Sequence, residues 1–259
     1  MRGKSTYIIL IIILLVFLVV MFLIYGVDSI RKTGYQTTIV VGDNTTWKYK
    51  DKRWSQVTKY DDFQELNWQK FTVFEDSRDL GDYFYWHDDK WYLFDSKRNA
   101  FEPEGNIVAY NSNYDINVDS YTVEEADTDQ YIEKVLLDNE LDKNSEFTKA
   151  EKVRLDFDSD GEIETFYIIS NVFPLEFKPE RIFSFVFMVK NNQIYYLYNE
   201  SQVYRAYSGC SPEFLGFLDT NEDDTDEIIL GCHRYSNLGR IDMLYTFTDN
   251  NFKIVISNQ

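Results

Sequence analysis

Two short acidic segments carry the residues best suited to chemistry in this chain. Residues 156–164 read DFDSDGEIE, and residues 219–227 read DTNEDDTDE. Each places side-chain oxygens at positions 1, 3, 5 and 9. These are Asp156, Asp158, Asp160 and Glu164 in the first segment, and Asp219, Asn221, Asp223 and Glu227 in the second. Oxygen ligands at that spacing let a short loop wrap a hard cation such as Ca2+. Carboxylates crowded around one turn repel each other unless a cation is shared. The segments start 63 residues apart, which reads as an internal repeat.

Neither segment suits an EF-hand, whose twelfth residue is a bidentate Glu. That position is Tyr167 in the first copy and Leu230 in the second. Both loops instead close at position 9, and the second runs directly into Ile228-Ile229-Leu230. The pattern D-x-[DN]-x-D-G-x-x-[DE] followed by apolar residues resembles the calcium loop of FG-GAP/VCBS repeats, found in integrin-α-type β-propellers. FLDTNEDDTDEIILG at 217–231 is the closer match. The resemblance implies backbone carbonyl ligands from Glu162 and Thr225, beside the eight side chains named above. It covers residues 150–259 and implies a structural Ca2+ in each loop. The second copy departs from it at position 6, where Asp224 stands in place of Gly161. Asp tolerates a left-handed backbone, though less well than Gly. A closed propeller needs at least four blades, so two units imply either degenerate blades upstream or a smaller repeated β-hairpin domain.

The elements around these loops read as strands. Phe183–Val189, Asn191-Asn192 and Ile194–Tyr198 predict a hairpin after the first loop. Met243–Thr248, Asn250-Asn251 and Phe252–Ile256 predict its counterpart after the second. Upstream, WKYKDKRWSQV at 47–57 and FYWHDDKWYLF at 84–94 predict two hairpins related by an offset of 37. The interruption is 122–141. There Asp127 with Gln130 makes a capping-box-like start, and Ile132, Val135 and Leu136 fall at helical spacing. The expected fold is therefore mainly β with one amphipathic helix. Its parts are an aromatic-rich β region at 37–120, a helix and connector at 121–145, and two calcium-loop β repeats at 146–259.

Residues 7–25, YIILIIILLVFLVVMFLIY, form an uncharged apolar run. At about 1.5 Å per residue, nineteen residues just cross a hydrocarbon core of roughly 30 Å. A secretory leader has a shorter apolar region ending in small residues. This run ends in Tyr25-Gly26-Val27-Asp28, and no cysteine follows it closely. It predicts an N-terminal single-pass transmembrane helix, with a cytoplasmic tail at 1–6 and a stalk at 26–36. Calcium loops and paired cysteines suit the outside, which places the C-terminal domain outside the plasma membrane.

The formal charge is -18. Residues 1–34 carry +3 (Arg2, Lys4, Arg31 and Lys32 against Asp28), leaving -18 - 3 = -21 for the rest. Nucleic-acid binding needs a basic face and is excluded. With 20 Tyr, 20 Phe and 5 Trp, the composition favours strands.

Cys210 and Cys232 flank the second loop at nearly opposite positions of its hairpin, which predicts a disulfide. His87 and His233, the two histidines, lie far apart without zinc-ligand spacing. No nucleophile elbow, P-loop or dinucleotide fingerprint occurs, so no catalytic residue is expected. Residues 86–94, WHDDKWYLF, distantly resemble cell-wall choline-binding repeats. Trp54, Trp86 and Trp91 are accordingly candidate sugar-stacking residues. The sequence points first to a non-enzymatic surface protein with structural calcium and an adhesion or ligand-binding face. A glycan-binding envelope module is the alternative, and an enzyme the third reading.

Overall fold

A computed structural model describes residues 36–42, 45–76, 78–88, 91–101, 106–112, 116–172, 181–203, 210–221, 223–234 and 239–258. The expected membrane span at 7–25 and the tail before it lie outside the described residues. So does the stalk, apart from Gln36. Among the described residues no helix is long and apolar enough to cross a membrane.

The chain is mainly β, as the aromatic and β-branched runs predict. The first sheet has seven strands: β1 Gln36–Val41, β2 Thr45–Lys50, β3 Arg53–Gln56, β4 Lys70–Glu75, β5 Arg78–His87, β6 Trp91–Phe94 and β7 Ile107–Ser112. Their order is β3-β2-β1-β7-β4-β5-β6. Two three-strand meanders thus flank a central β7. The two aromatic hairpins take equivalent outer places, β2–β3 at one edge and β5–β6 at the other. The first turns at Asp51-Lys52, both in the left-handed region (φ 52° and 62°), as a two-residue hairpin loop requires.

The second and third sheets are four-strand antiparallel meanders, each with a short added strand. The second contains β10 Lys149–Leu155, β11 Glu164–Val172, β12 Arg181–Lys190 and β13 Gln193–Val203, with β9 Glu124–Glu125 beside β10. The third contains β14 Cys210–Asp219, β15 Glu227–Arg234, β16 Arg240–Thr248 and β17 Asn251–Ser257, with β8 Asn117–Val118 beside β14. In each, the acidic loop joins the first two meander strands. The turn between β16 and β17 is Asp249-Asn250, one residue earlier than the sequence suggests. Both residues are left-handed (φ 56° and 58°), and Thr248 pairs with Asn251 across them.

The three sheets stack face to face, because their central strands are apolar on both faces. Along β11, Phe166 and Ile168 meet Phe217, Ile228 and Leu230 of the third sheet. The other face of the third sheet, with Leu215, Ile229 and Leu244, meets Ile39, Val41, Trp47 and Val108 of the first. A bulge between Phe214 and Gly216 keeps Phe214 and Phe217 on the same face despite their odd spacing.

Helices cover the two outer faces. The longer, α2 (Gln130–Asp138), buries Ile132, Val135 and Leu136 against Ile169, Phe185 and Phe187 of the second sheet. These are the apolar residues at helical spacing. Its N-cap is Asp129 rather than Asp127. The Asp129 carboxylate accepts from the backbone N–H of Tyr131 (2.9 Å) and Ile132 (3.0 Å). It also accepts from the Tyr167 hydroxyl at 2.6 Å, which ties the helix start to β11. The expectation of a single helix fails at α1, Tyr60–Gln64, on the outer face of the first sheet. Five residues with none fully buried offer no apolar periodicity to read. Phe63 and, just beyond, buried Leu66 pack there against Phe71 and Tyr85.

Candidate functional site

The two acidic loops share one internal wiring. The position-1 carboxylate accepts from the N–H at position 6: Gly161 to Asp156 at 3.0 Å, and Asp224 to Asp219 at 3.1 Å. The position-5 carboxylate accepts from position 7: Glu162 to Asp160 at 2.8 Å, and Thr225 to Asp223 at 3.0 Å. The position-9 carboxylate accepts from position 2: Phe157 to Glu164 and Thr220 to Glu227, each at 3.0 Å. Position 6 is left-handed in both, with φ 86° at Gly161 and 62° at Asp224. This explains why one loop uses Gly, and why the other can use Asp at some cost in strain.

Among the described residues only the first loop brings three carboxylates together; Asp219, Asp223 and Glu227 do not form such a group. In the first, ligand atoms of Asp156, Asp158 and Glu164 all lie within 4.8 Å of one another. Phe157 anchors this loop: its ring is buried between the second and third sheets, edge-on to Phe166 at 5.4 Å and Phe247 at 5.8 Å. The Phe157 carbonyl accepts from the backbone N–H of Asp226 at 3.1 Å. The two loops are therefore direct neighbours.

Their electrostatics differ. In the first loop the Lys190 ammonium reaches Asp158 Oδ2 at 2.5 Å, Asp160 Oδ2 at 2.7 Å and Glu164 Oε1 at 3.2 Å. Hydrogen bonding to Lys190 holds Asp160 below the usual carboxylate range. Burial pushes Glu164 upward, and the Phe157 N–H and Lys190 oppose it. Burial also works against the charge on Lys190, but its three carboxylate partners outweigh that and raise it.

The second loop holds more deeply buried acid. Glu227 is 2% exposed and Asp226 is 3% exposed. Glu227 accepts from Asn221 Nδ2 at 2.7 Å and from the Thr220 hydroxyl as well as its N–H. Burial nevertheless pushes its carboxyl up to about 8, with Thr220 opposing. Burial pushes Asp226 up to about 9, reinforced by the neighbouring carboxylates Asp119 and Asp219. Asp226 Oδ2 meets no hydrogen-bond donor. It adjoins the Asp119 carboxyl, and two such acceptors can bond only by sharing a proton. Among the described residues, no Lys, Arg or His forms an ion pair with Asp219, Asp223, Asp226 or Glu227.

Cys210 and Cys232 are joined as a disulfide, with Cα atoms 5.3 Å apart. They are diagonal neighbours, since Cys210 pairs with Arg234 and Pro212 with Cys232. Both face the core between the second and third sheets.

The three tryptophans suggested for sugar stacking do not converge. Trp54 packs at the seam between the first and third sheets, and Trp91 in the core under α1. Trp86 is half-buried and belongs to neither cluster. It is joined by Trp68, which sequence reading overlooked: 48% exposed, with ring centroids 5.3 Å apart. Trp68 has a left-handed backbone (φ 63°), and the Arg98 guanidinium lies over its ring at 5.5 Å. A second polar cluster ties the first and third sheets together. There Arg240 bonds Asp242 (2.6 Å) and Asn106 (3.0 Å), Thr45 bonds Asp242 (2.6 Å), and Glu213 takes His233 at 2.8 Å. Ion pairing holds these groups across the seam, although Glu213 Oε1 and Asp242 Oδ1 accept no hydrogen bond of good geometry.

Sequence reasoning also overlooked Lys190, Thr220, Asp226 and Asp119. Lys190 and Asp119 reach the loops only through strand pairing. Thr220 and Asp226 lie within the second motif, at positions the metal pattern leaves free. No family model, curated protein or solved structure matches this chain.

Proposed function

We propose that this chain is a non-enzymatic, membrane-anchored surface protein whose β domain is stabilised by Ca2+ bound in its acidic loops. The observation that carries this reading is the shared loop wiring: three equivalent hydrogen bonds recur in two loops at the same point of two four-strand meanders. Chance acidic turns have no reason to repeat all three. A duplicated loop-and-meander module of the FG-GAP/VCBS kind accounts for them. The side chains of Asp156, Asp158, Asp160, Glu164, Asp219, Asn221, Asp223 and Glu227 form the oxygen sets. The carbonyls of Glu162 and Thr225 complete them.

The apolar run at 7–25 anchors the chain in the plasma membrane, and the disulfide favours an extracellular C-terminal domain. At millimolar calcium an extracellular module of ordinary affinity gains at most about 1–1.5 kcal/mol. That is a structural contribution. The test is thermal unfolding of the purified chain with millimolar CaCl2, with MgCl2 and with chelator. A calcium-specific rise in Tm supports the reading, and identical melting in all three removes it. Membrane extraction checks the anchor: release by carbonate would show that the run does not span.

One observation favours a second reading. The exposed Trp68 and half-buried Trp86, their rings tilted 50° to each other with Arg98 over Trp68, offer aromatic faces and a cation to a sugar ring. A glycan array on wild type and Trp68→Ala separates this surface from the calcium loops.

A further inference from the structure

Trp68 is the residue that local structure explains least. It follows α1 in a turn where its backbone is left-handed, φ 63°. Glycine or asparagine meets that demand at lower cost. Among the described left-handed residues other than glycine, Trp68 is the only aromatic. Core packing does not account for it, because 48% of it is exposed. Strained residues of this kind collect where a surface is used. Tyr85 and Leu93 turn to the core under α1, so Trp86 and Phe94, next to them in the chain, turn the other way. Trp68 meets both rings, at 5.3 Å and 6.1 Å between centroids. The ladder Tyr110–Thr72–Asp82 carries this face across from β7 to β5. The third sheet covers the same face through residues of β1, β2, β3 and β7, and none of β4, β5 or β6 joins that buried cluster.

Arg98 completes the surface, with its guanidinium over the Trp68 ring at 5.5 Å. It is left-handed too, φ 67°, in a turn that Asp95 fastens. The Asp95 carboxylate accepts from the backbone N–H of Lys97 (2.8 Å) and Asn99 (2.9 Å) and from Asn99 Nδ2 (2.8 Å). Lys70 and Arg78 of the same sheet are neutralised, by Asp82 at 3.0 Å and Glu75 at 3.3 Å. Among the described residues no carboxylate forms an ion pair with Arg98, although the chain carries a formal charge of -18. A guanidinium stacked by its flat face keeps its N–H edge free, and that edge fits a carboxylate through two parallel hydrogen bonds. We propose that the Trp68–Trp86–Phe94 surface takes an acidic sugar, whose C–H face lies against the aromatic rings and whose carboxylate pairs with Arg98. This rests on the glycan reading above and gives it a chemical class. A neutral sugar would use the rings and leave the charge of Arg98 idle.

The test is a glycan array probed with the full detergent-solubilised chain. It carries uronic-acid and sialic-acid glycans, each beside its methyl ester, which keeps the ring and removes the charge. Wild type should prefer the acids by about tenfold, the worth of one charge-assisted hydrogen bond. Arg98→Gln should bind acid and ester alike, at the level of the ester. Trp68→Gly should lose both while remaining folded by circular dichroism, because glycine suits the left-handed backbone. The wild-type preference is decisive even where a variant fails to fold. Equal wild-type binding to acids and esters, or an acid preference that survives Arg98→Gln, would overturn the inference and leave the glycan reading standing. Binding that survives Trp68→Gly would place the sugar elsewhere and overturn the site. No wild-type binding to any member would overturn both inference and reading.

Discussion

The Glu227 carboxyl gives the metal-free protein an unusual dependence on pH. Its ordinary value of 4.5 rises to about 8, chiefly because burial disfavours the charged form. The folded-state value lies above the unfolded one, so this group stabilises the fold only while protonated. Its contribution is complete below about pH 4.5 and is lost as the pH climbs towards 8. At about 1.4 kcal/mol per pH unit, the loss between pH 5 and pH 8.5 comes to roughly 3–4 kcal/mol. A domain of this size loses about 2–4 °C of Tm per kcal/mol, so the fall is roughly 6–16 °C. Glu227→Gln keeps the shape without the charge. In chelator the variant should therefore overtake wild type progressively as the pH rises, and the difference between the two curves cancels the titration of distant groups. Calcium reverses the comparison, because the ion favours the ionised carboxylate that wild type alone can provide. Thermal melts from pH 5 to 8.5, with and without calcium, test both halves. A Tm difference in chelator that stays constant across that range would refute the reasoning.

Asp224→Gly relieves a left-handed Asp (φ 62°) and should stabilise the protein by up to about 1 kcal/mol in urea unfolding; a loss would show that the Asp224 side chain has another role. Asp129→Ala removes the N-cap of α2 and the acceptor of the Tyr167 hydroxyl, and should cost about 1–2 kcal/mol by the same measurement. Leu136→Ala empties a fully buried position beneath that helix and should cost about 2–5 kcal/mol. Reduction of Cys210–Cys232 opens a loop of 22 residues and should lower stability by about 3 kcal/mol. Free thiols found by mass spectrometry in protein from an oxidising compartment would contradict that bridge.

The strands and the acidic loops were legible because their signals are local. Phe166 to Ile169 and Ile228 to Leu230 are apolar runs, and the oxygen spacing of each loop lies within nine residues. The cysteine pair could be placed by counting outward from a loop whose ends were known. What escaped depends on pairing between distant segments. Lys190 precedes an Asn-Asn turn and reads as an ordinary exposed hairpin residue; only the β11–β12 register sets it against Glu164. Asp119 follows β8, a two-residue strand too short to carry a pattern. The Asp127 cap failed by two residues because Asp127 and Asp129 are equally good caps in sequence. The Tyr167 hydroxyl, 38 residues away in the chain, binds Asp129. Trp68 was hidden for a similar reason, as its turn brings it beside Trp86 from outside both aromatic hairpins.

The helices on the two outer faces have a consequence for assembly. Sheets that are apolar on both sides can add layer upon layer, and an uncovered terminal layer invites another copy to dock. Here α2 lies over Ile169, Phe185 and Phe187 at one end, and α1 with Leu66 lies over Phe71 and Tyr85 at the other. They act as end-stops, as polar capping units do in solenoid proteins. A series of blades closes into a ring only by pressing its first face against its last, and these two faces are already taken. A chain stripped of α2 would bare Ile169, Phe185 and Phe187 and should be the form prone to self-association.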